Sequence, residues 1–187
     1  MLVEGGNSAR GIENRNATAK LVAVGTNARG EDGASESQGL FNDFGASAEL
    51  RGGSFVGSGG DYAFGILNSA SATTLEAVGV AATGEGATFN RGIEINESAG
   101  AVLQGGRYTG QGGNAAYGIH YYYGTSLDAT GITAKGSGAP TDNRGLTQWG
   151  STVRLGSVQL VNGANRVNGT LTCLQVIDGN FVSYTCP

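Results

Sequence analysis

The chain holds a single histidine, His120, inside the run Tyr117-Gly118-Ile119-His120-Tyr121-Tyr122-Tyr123. Its one tryptophan, Trp149, stands four residues after Gly145, as Tyr122 stands four after Gly118. Aromatic faces pack well on the C–H faces of sugar rings, while polar neighbours take the hydroxyls. His120, Tyr122, Tyr123 and Trp149, with Asn96 beside them, therefore form the candidate ligand-facing patch. An aromatic ladder that only stiffens neighbouring strands is the competing expectation. Catalysis is not expected. His120 has no serine or cysteine at a nucleophile motif to work with. Glu13 and Glu94 are expected about 14 Å apart at the usual strand spacing, too far for a two-carboxylate glycosidase. Asp43 is expected to meet Arg15 in a surface ion pair worth under ~1 kcal/mol. Gly57-Ser58-Gly59-Gly60-Asp61 covers half of a calcium-binding nonapeptide, but the pattern does not recur, and it reads as a turn. No catalytic residue, metal site or cofactor is assigned.

A repeat would have to bring these residues together. Gly followed by Ile or Leu recurs at Gly11, Gly39, Gly65, Gly92, Gly118 and Gly145, at intervals of 28, 26, 27, 26 and 27 residues. A fixed period in this range marks a solenoid or similar array. In a strand, the residue after the Gly and the one two further on share a face. Ile12, Leu40, Ile66, Ile93, Ile119 and Leu146 should then form one buried column. Asn14, Asn42 and Asn68 should run beside it with their amides in contact, followed by Ile95, Tyr121 and Gln148. Glu13, Phe41, Leu67, Glu94, His120 and Thr147 fall on the outer face. So do Arg15, Asp43, Ser69, Asn96, Tyr122 and Trp149. A one-residue step in register would instead turn Tyr121 and Tyr123 outward.

About ten residues past each Gly a second apolar position follows: Leu21, Leu50, Leu75, Val102 or Leu103, Leu127, Leu155. A third comes after a Gly-containing corner, at Phe55, Val80, Tyr108, Ile132 and Val158. Gly-rich polar connectors such as Thr83-Gly84-Glu85-Gly86 and Gly136-Ser137-Gly138 close each unit. Three short strands and three bends per unit predict an all-β solenoid of six coils. Helix is a poor alternative, because no unit carries a helical apolar period over ten or more residues and Gly recurs too often for helix interiors.

The turns "YGI", "RGI" and "RGL", with "ATGITAKGSG"-like stretches between them, resemble the right-handed parallel β-helix repeats of bacterial secreted and surface proteins. This is the pectin-lyase-like superfamily in the broad sense. The resemblance covers roughly residues 9 to 187 and implies a right-handed parallel β-helix with a closing C-terminal element. Members serve as adhesins, stalks, spikes and polysaccharide-binding or -cleaving modules, so it implies no single activity. Residues 1–8 are read as a lead-in, 9–161 as the repeats and 162–187 as a capping hairpin. With Gly179-Asn180 at its tip, the hairpin sets Cys173 opposite Cys186 at a Cα distance of ~4.5 Å, suited to a disulfide. With Asp178-Gly179 at the tip, Tyr184 would face Cys173 instead.

Composition narrows the function classes. Gly makes up 35 of 187 residues and charged residues only 14%, with a net charge of -4. No basic stripe exists to neutralise phosphates, which disfavours nucleic acid. No apolar run reaches the ~20 residues that cross a bilayer. No signal peptide is seen at Met1-Leu2-Val3-Glu4, and the N-terminal end lacks a cap, which suggests missing upstream coils or a docking edge. A disulfide suggests an oxidising, extracellular setting. The expected role is a non-enzymatic extracellular scaffold or adhesive module. A carbohydrate-binding or carbohydrate-cleaving β-helix is the alternative, and self-assembly through the first coil is the third. The partners are a glycan or surface polymer, or another copy.

Overall fold

The computed structural model describes residues 2–4 and 6–186. They form a parallel β-solenoid with three walls. A lead strand, β1 (Leu2–Glu4), precedes the first coil of β2 (Ser8–Arg15), β3 (Lys20–Val24) and β4 (Asn27–Glu31). The second coil is β5 (Glu36–Asp43), β6 (Ser47–Arg51) and β7 (Ser54–Ser58). The third is β8 (Tyr62–Asn68), β9 (Thr74–Val78) and β10 (Ala81–Glu85). The fourth is β11 (Phe89–Asn96), β12 (Gly100–Gln104) and β13 (Arg107–Gln111). The fifth is β14 (Ala115–Tyr122), β15 (Ser126–Thr130) and β16 (Thr133–Ser137). The sixth is β17 (Asp142–Trp149), β18 (Thr152–Gly156) and β19 (Gln159–Val161). A short last coil follows, of β20 (Ala164–Arg166), β21 (Thr170–Leu174) and β22 (Ile177–Asp178). The first wall runs from β2 to β20, the second from β3 to β21, and the third from β1 to β22.

The first-wall register is the expected one. Ile12, Leu40, Ile66, Ile93, Ile119 and Leu146 pair in sequence across β2, β5, β8, β11, β14 and β17. All but Ile12, at the edge, are fully buried. The asparagine row also stands. Asn14 Nδ2 donates to Asn42 Oδ1 and Asn42 Nδ2 to Asn68 Oδ1, both at 2.7 Å. Each amide also donates to a carbonyl at the next bend, of Ser47, Thr74 or Gly100. These bonds satisfy buried backbone that the bend would otherwise leave unpaired.

The recurrent Gly has a steric cause. A Cβ on Gly92 would overlap the amide nitrogen of Thr109 and lie 2.6 Å from the carbonyl oxygen of Gly118. A second glycine column, Gly30, Gly57, Gly84, Gly110 and Gly136, meets backbone in the same way from the third wall. The first and third walls therefore touch main chain to main chain. Gly57, Gly84 and Gly136 lie in strands, not in the connectors expected from the sequence.

The second wall corrects the single leucine column. Leu21, Ala48, Leu75, Ala101, Leu127 and Val153 form one inward row. Ala23, Leu50, Ala77, Leu103, Ala129 and Leu155 form the other. In the first five coils one row holds Leu where the other holds Ala, so successive coils interlock large on small, and the sixth sets Val153 with Leu155. Val102 points outward and is 38% exposed; Leu103 is the core residue. The third wall alternates likewise as Ala28, Phe55, Ala82, Tyr108 and Ala134. Beside Ala82 and Ala134 the corner supplies the bulk instead, as Val80 and Ile132.

The C-terminal tail differs from the capping hairpin expected over 162–187. β21 and β22 pair in parallel with β18 and β19, in a coil shortened to 18 residues from Leu146 to Ala164. Only then does the chain fold back, through an isolated antiparallel bridge between Ile177 and Ser183. Asp178 N bonds Val182 O at 2.8 Å, so the turn holds three residues, with Phe181 at φ 61°. This register sets Cys173 and Cys186 one step off direct opposition, yet their disulfide forms at a Cα distance of 6.2 Å. The closed loop is worth about 3 kcal/mol in the chain-entropy model. Tyr184 covers the end of the stack and bonds the backbone of Ala164 through its hydroxyl.

Candidate functional site

The outer face of the first wall carries the candidate patch. Six coils stacked in register bring side chains from neighbouring turns into contact every strand spacing, about 4.8 Å. Glu94 on β11 stands directly beside His120 on β14, which stands beside Thr147 on β17. Glu94 Oε2 lies 2.9 Å from His120 Nδ1. Arg91 pairs with the same carboxylate through Nη1, and Asn96 Nδ2 donates to Oε1 at 2.6 Å. His120 is only 9% exposed and Glu94 6%, although both lie on the outer face. The roof over them is made of neighbouring side chains.

Rings supply that roof. The His120 imidazole stacks against Tyr117 at 5.3 Å and Tyr122 at 5.8 Å. Tyr122 meets Tyr123 and Trp149 edge-on, at 4.7 and 6.2 Å. Tyr122 and Tyr123 stay 42% and 49% exposed. The register question is settled: Tyr121 is fully buried in the core and Tyr122 faces outward. The ribbon also runs further than the last two coils. Tyr62 stacks on Phe64 and Phe89, and Arg91 lies over Tyr62 and Phe64 at 5.4 and 5.3 Å. Phe41, Phe64 and Leu67 form a separate buried apolar cluster on this outer face. Arg10 caps Phe41 at 4.2 Å. Arg15 also approaches Asp43 at 3.8 Å, the ion pair expected from the sequence.

Between these groups lies a shallow cleft of about 330 Å³, lined by Tyr62, Arg91, Glu94, Asn96, His120 and Tyr122 among others. The electrostatics of the cleft centre on Glu94. Burial alone would raise its carboxyl pKa; the Arg91 charge, with His120 and Asn96 as donors, overcomes that and holds it below the usual carboxylate range. An ionised carboxylate only accepts, so His120 Nδ1 is the donor in this contact. Tyr117 donates to Asp142 at 3.2 Å, and burial together with that carboxylate raises its pKa. The groups are held in place by one another, a fixed arrangement of donors, acceptors and ring faces suited to binding. Glu13 stands three strands from Glu94, as the register required.

The linkage has a definite sign. Glu94 is more acidic folded than unfolded, so its contribution to stability is complete above its ordinary pKa of 4.5 and is lost as the pH falls below it. Acid unfolding followed by tryptophan emission should show this loss in the wild type and a shallower slope in Glu94→Gln. Parallel acid curves for the two proteins would show that the carboxylate is not held this way.

Asn96, His120, Tyr122, Tyr123 and Trp149 are thus brought together as expected, but His120 serves as a buried anchor and not as an exposed contact. Arg91, Glu94, Tyr62 and Tyr117 were absent from the expected patch. The signal for Glu94 was present, since it and His120 both stand two residues past the repeat Gly on consecutive coils. Among the described residues no group of three or more His, Cys, Asp or Glu side chains could hold a metal. Among the described residues no helix is long and apolar enough to cross a membrane. No protein-family model, curated protein or solved structure matches the chain. What is established is a parallel β-solenoid of about six turns with a disulfide near its C-terminus.

Proposed function

We propose that the protein is a non-enzymatic extracellular β-solenoid whose first wall is an adhesive face for glycans. One observation carries the reading: exposed Tyr62, Tyr122, Tyr123 and half-buried Trp149 surround a preset Arg91–Glu94–His120–Asn96 network. Ring faces take the apolar sides of sugars, and fixed polar groups take hydroxyls without being reorganised first. The other walls serve as the rigid frame. The disulfide supports an oxidising compartment. The repeat turns support a relation to bacterial surface β-helices of the pectin-lyase-like kind. The test is a glycan array followed by titration of any hit. Trp149→Ala should weaken binding by about 1–3 kcal/mol, the range for removing one stacked ring at an interface, with the melting temperature nearly unchanged. An array without a hit, with stability lost in Trp149→Ala, would assign the rings to a structural ladder.

Assembly through the first coil is a second reading. Ile12 and Leu21 are only half-buried where their counterparts in the next coils are covered, and the outer edges of β2 and β3 have no strand partner among the described residues. A chain that stays monomeric at every concentration in sedimentation would reject it.

A further inference from the structure

The third wall holds a polar groove that the aromatic face does not explain. It has a volume of about 550 Å³ and crosses the outer faces of β10, β13, β16 and β19. Arg107 on β13 and Lys135 on β16 are both exposed and face into it. Arg107 pairs in register with Thr133, and Lys135 with Thr109, so the two cations sit on a diagonal of one small square. Their Cα atoms are about 8 Å apart, given a strand spacing of about 4.8 Å and a rise of about 3.3 Å per residue. Either side chain can reach a single anion placed over the square.

Among the described residues no carboxylate pairs with these charges. Arg10, Arg15, Lys20, Arg29, Arg91, Arg144 and Arg154 each have a carboxylate within ion-pair distance. Arg107 and Lys135 have none among the described residues, nor do Arg51 and Arg166, but of these four only Arg107 and Lys135 line the groove, in a chain with 15 acidic side chains against 11 basic ones. Glu85, the one carboxylate at the groove, is engaged by Arg29. Two like charges held on adjacent strands repel, and an anion between them relieves that cost. Arg107, Lys135 and Thr109 all line the groove and bring a guanidinium, an ammonium and a hydroxyl to it as separate donors. A tetrahedral oxyanion offers three terminal oxygens to such a set, whereas a carboxylate offers two.

We infer that the third wall binds sulfate esters on a glycan chain, with Arg107 and Lys135 gripping the sulfate. The site is independent of the aromatic face, being on a different wall.

Dextran sulfate is the probe, with unsulfated dextran of the same length as the comparison, in isothermal titration at low salt. Dextran sulfate should bind and the unsulfated polymer should not. The double variant Arg107→Gln with Lys135→Gln should weaken binding at least tenfold at an unchanged melting temperature. Lys20→Gln with Arg154→Gln, which removes two cations from the second wall, should leave it as it was. Dextran sulfate that fails to bind would overturn the inference. So would equal losses in the two double variants, which would mean diffuse charge attraction. Since Trp149 stands on the first wall, its emission should stay constant through this titration, which separates this site from the aromatic face.

Discussion

Gly92→Ala is expected to destabilise the protein by at least about 3 kcal/mol, although it adds a single methyl group. The methyl has nowhere to go. One side is the Thr109 amide on the third wall and the other is the Gly118 carbonyl of the next coil. Neither is a side chain that can change rotamer, so the strain passes into main chain on two strands at once. Overpacking a core costs about 1–3 kcal/mol when side chains can yield, and backbone on both sides places this site at or beyond the upper end. Gly105→Ala is the control. Its added Cβ would come no closer than 3.8 Å to any atom, and the cost there is that of its φ of +64° alone, about 1–2 kcal/mol. Urea unfolding of the two variants should rank them in that order. A Gly92→Ala protein within about 1 kcal/mol of wild type would mean the walls do not meet as described.

The neighbouring residue should show the opposite defect with a similar cost. Ile93 is fully buried between Ile66 and Ile119. Truncation to alanine removes apolar contacts and leaves a cavity that stacked coils above and below cannot collapse to fill. Such changes cost about 2–5 kcal/mol. Ile12→Ala, in the same column at the half-buried edge, should cost clearly less. Equal losses at the two positions in thermal unfolding would argue against a continuous column with an open first coil.

The first wall was legible because its signals repeat in every coil at one position. A Gly forced by backbone contact and an aliphatic residue after it, with an asparagine two further on in the first three coils, need only the period to be aligned. The second wall was not, because its bulk alternates. Leu21, Leu75 and Leu127 belong to one row and Leu50, Leu103 and Leu155 to the other. A search for one large residue per coil merges rows that differ by two residues. The tail escaped for a related reason: its last coil shrinks to 18 residues, so it falls out of the period while still pairing in parallel. At the site, outward direction was read as exposure. Glu94 and His120 do face outward, but long side chains from the same face cover them. Tyr117 and Tyr122 fold over His120 from its own strand, and Arg91 and Asn96 over Glu94 from theirs, a matter of side-chain direction that alternation along a strand does not show.

Trp149 is the only tryptophan in the chain and stands at the edge of the proposed adhesive face, so its emission reads that face without a label. Titration of the protein with an array-selected glycan, following that emission, is the most direct measurement. The predicted result is a saturable change that disappears in Tyr122→Ala, whose stability stays close to wild type because Tyr122 is 42% exposed. A glycan that binds by calorimetry while Trp149 emission stays flat, or an equal response in wild type and Tyr122→Ala, would contradict the assignment of this wall.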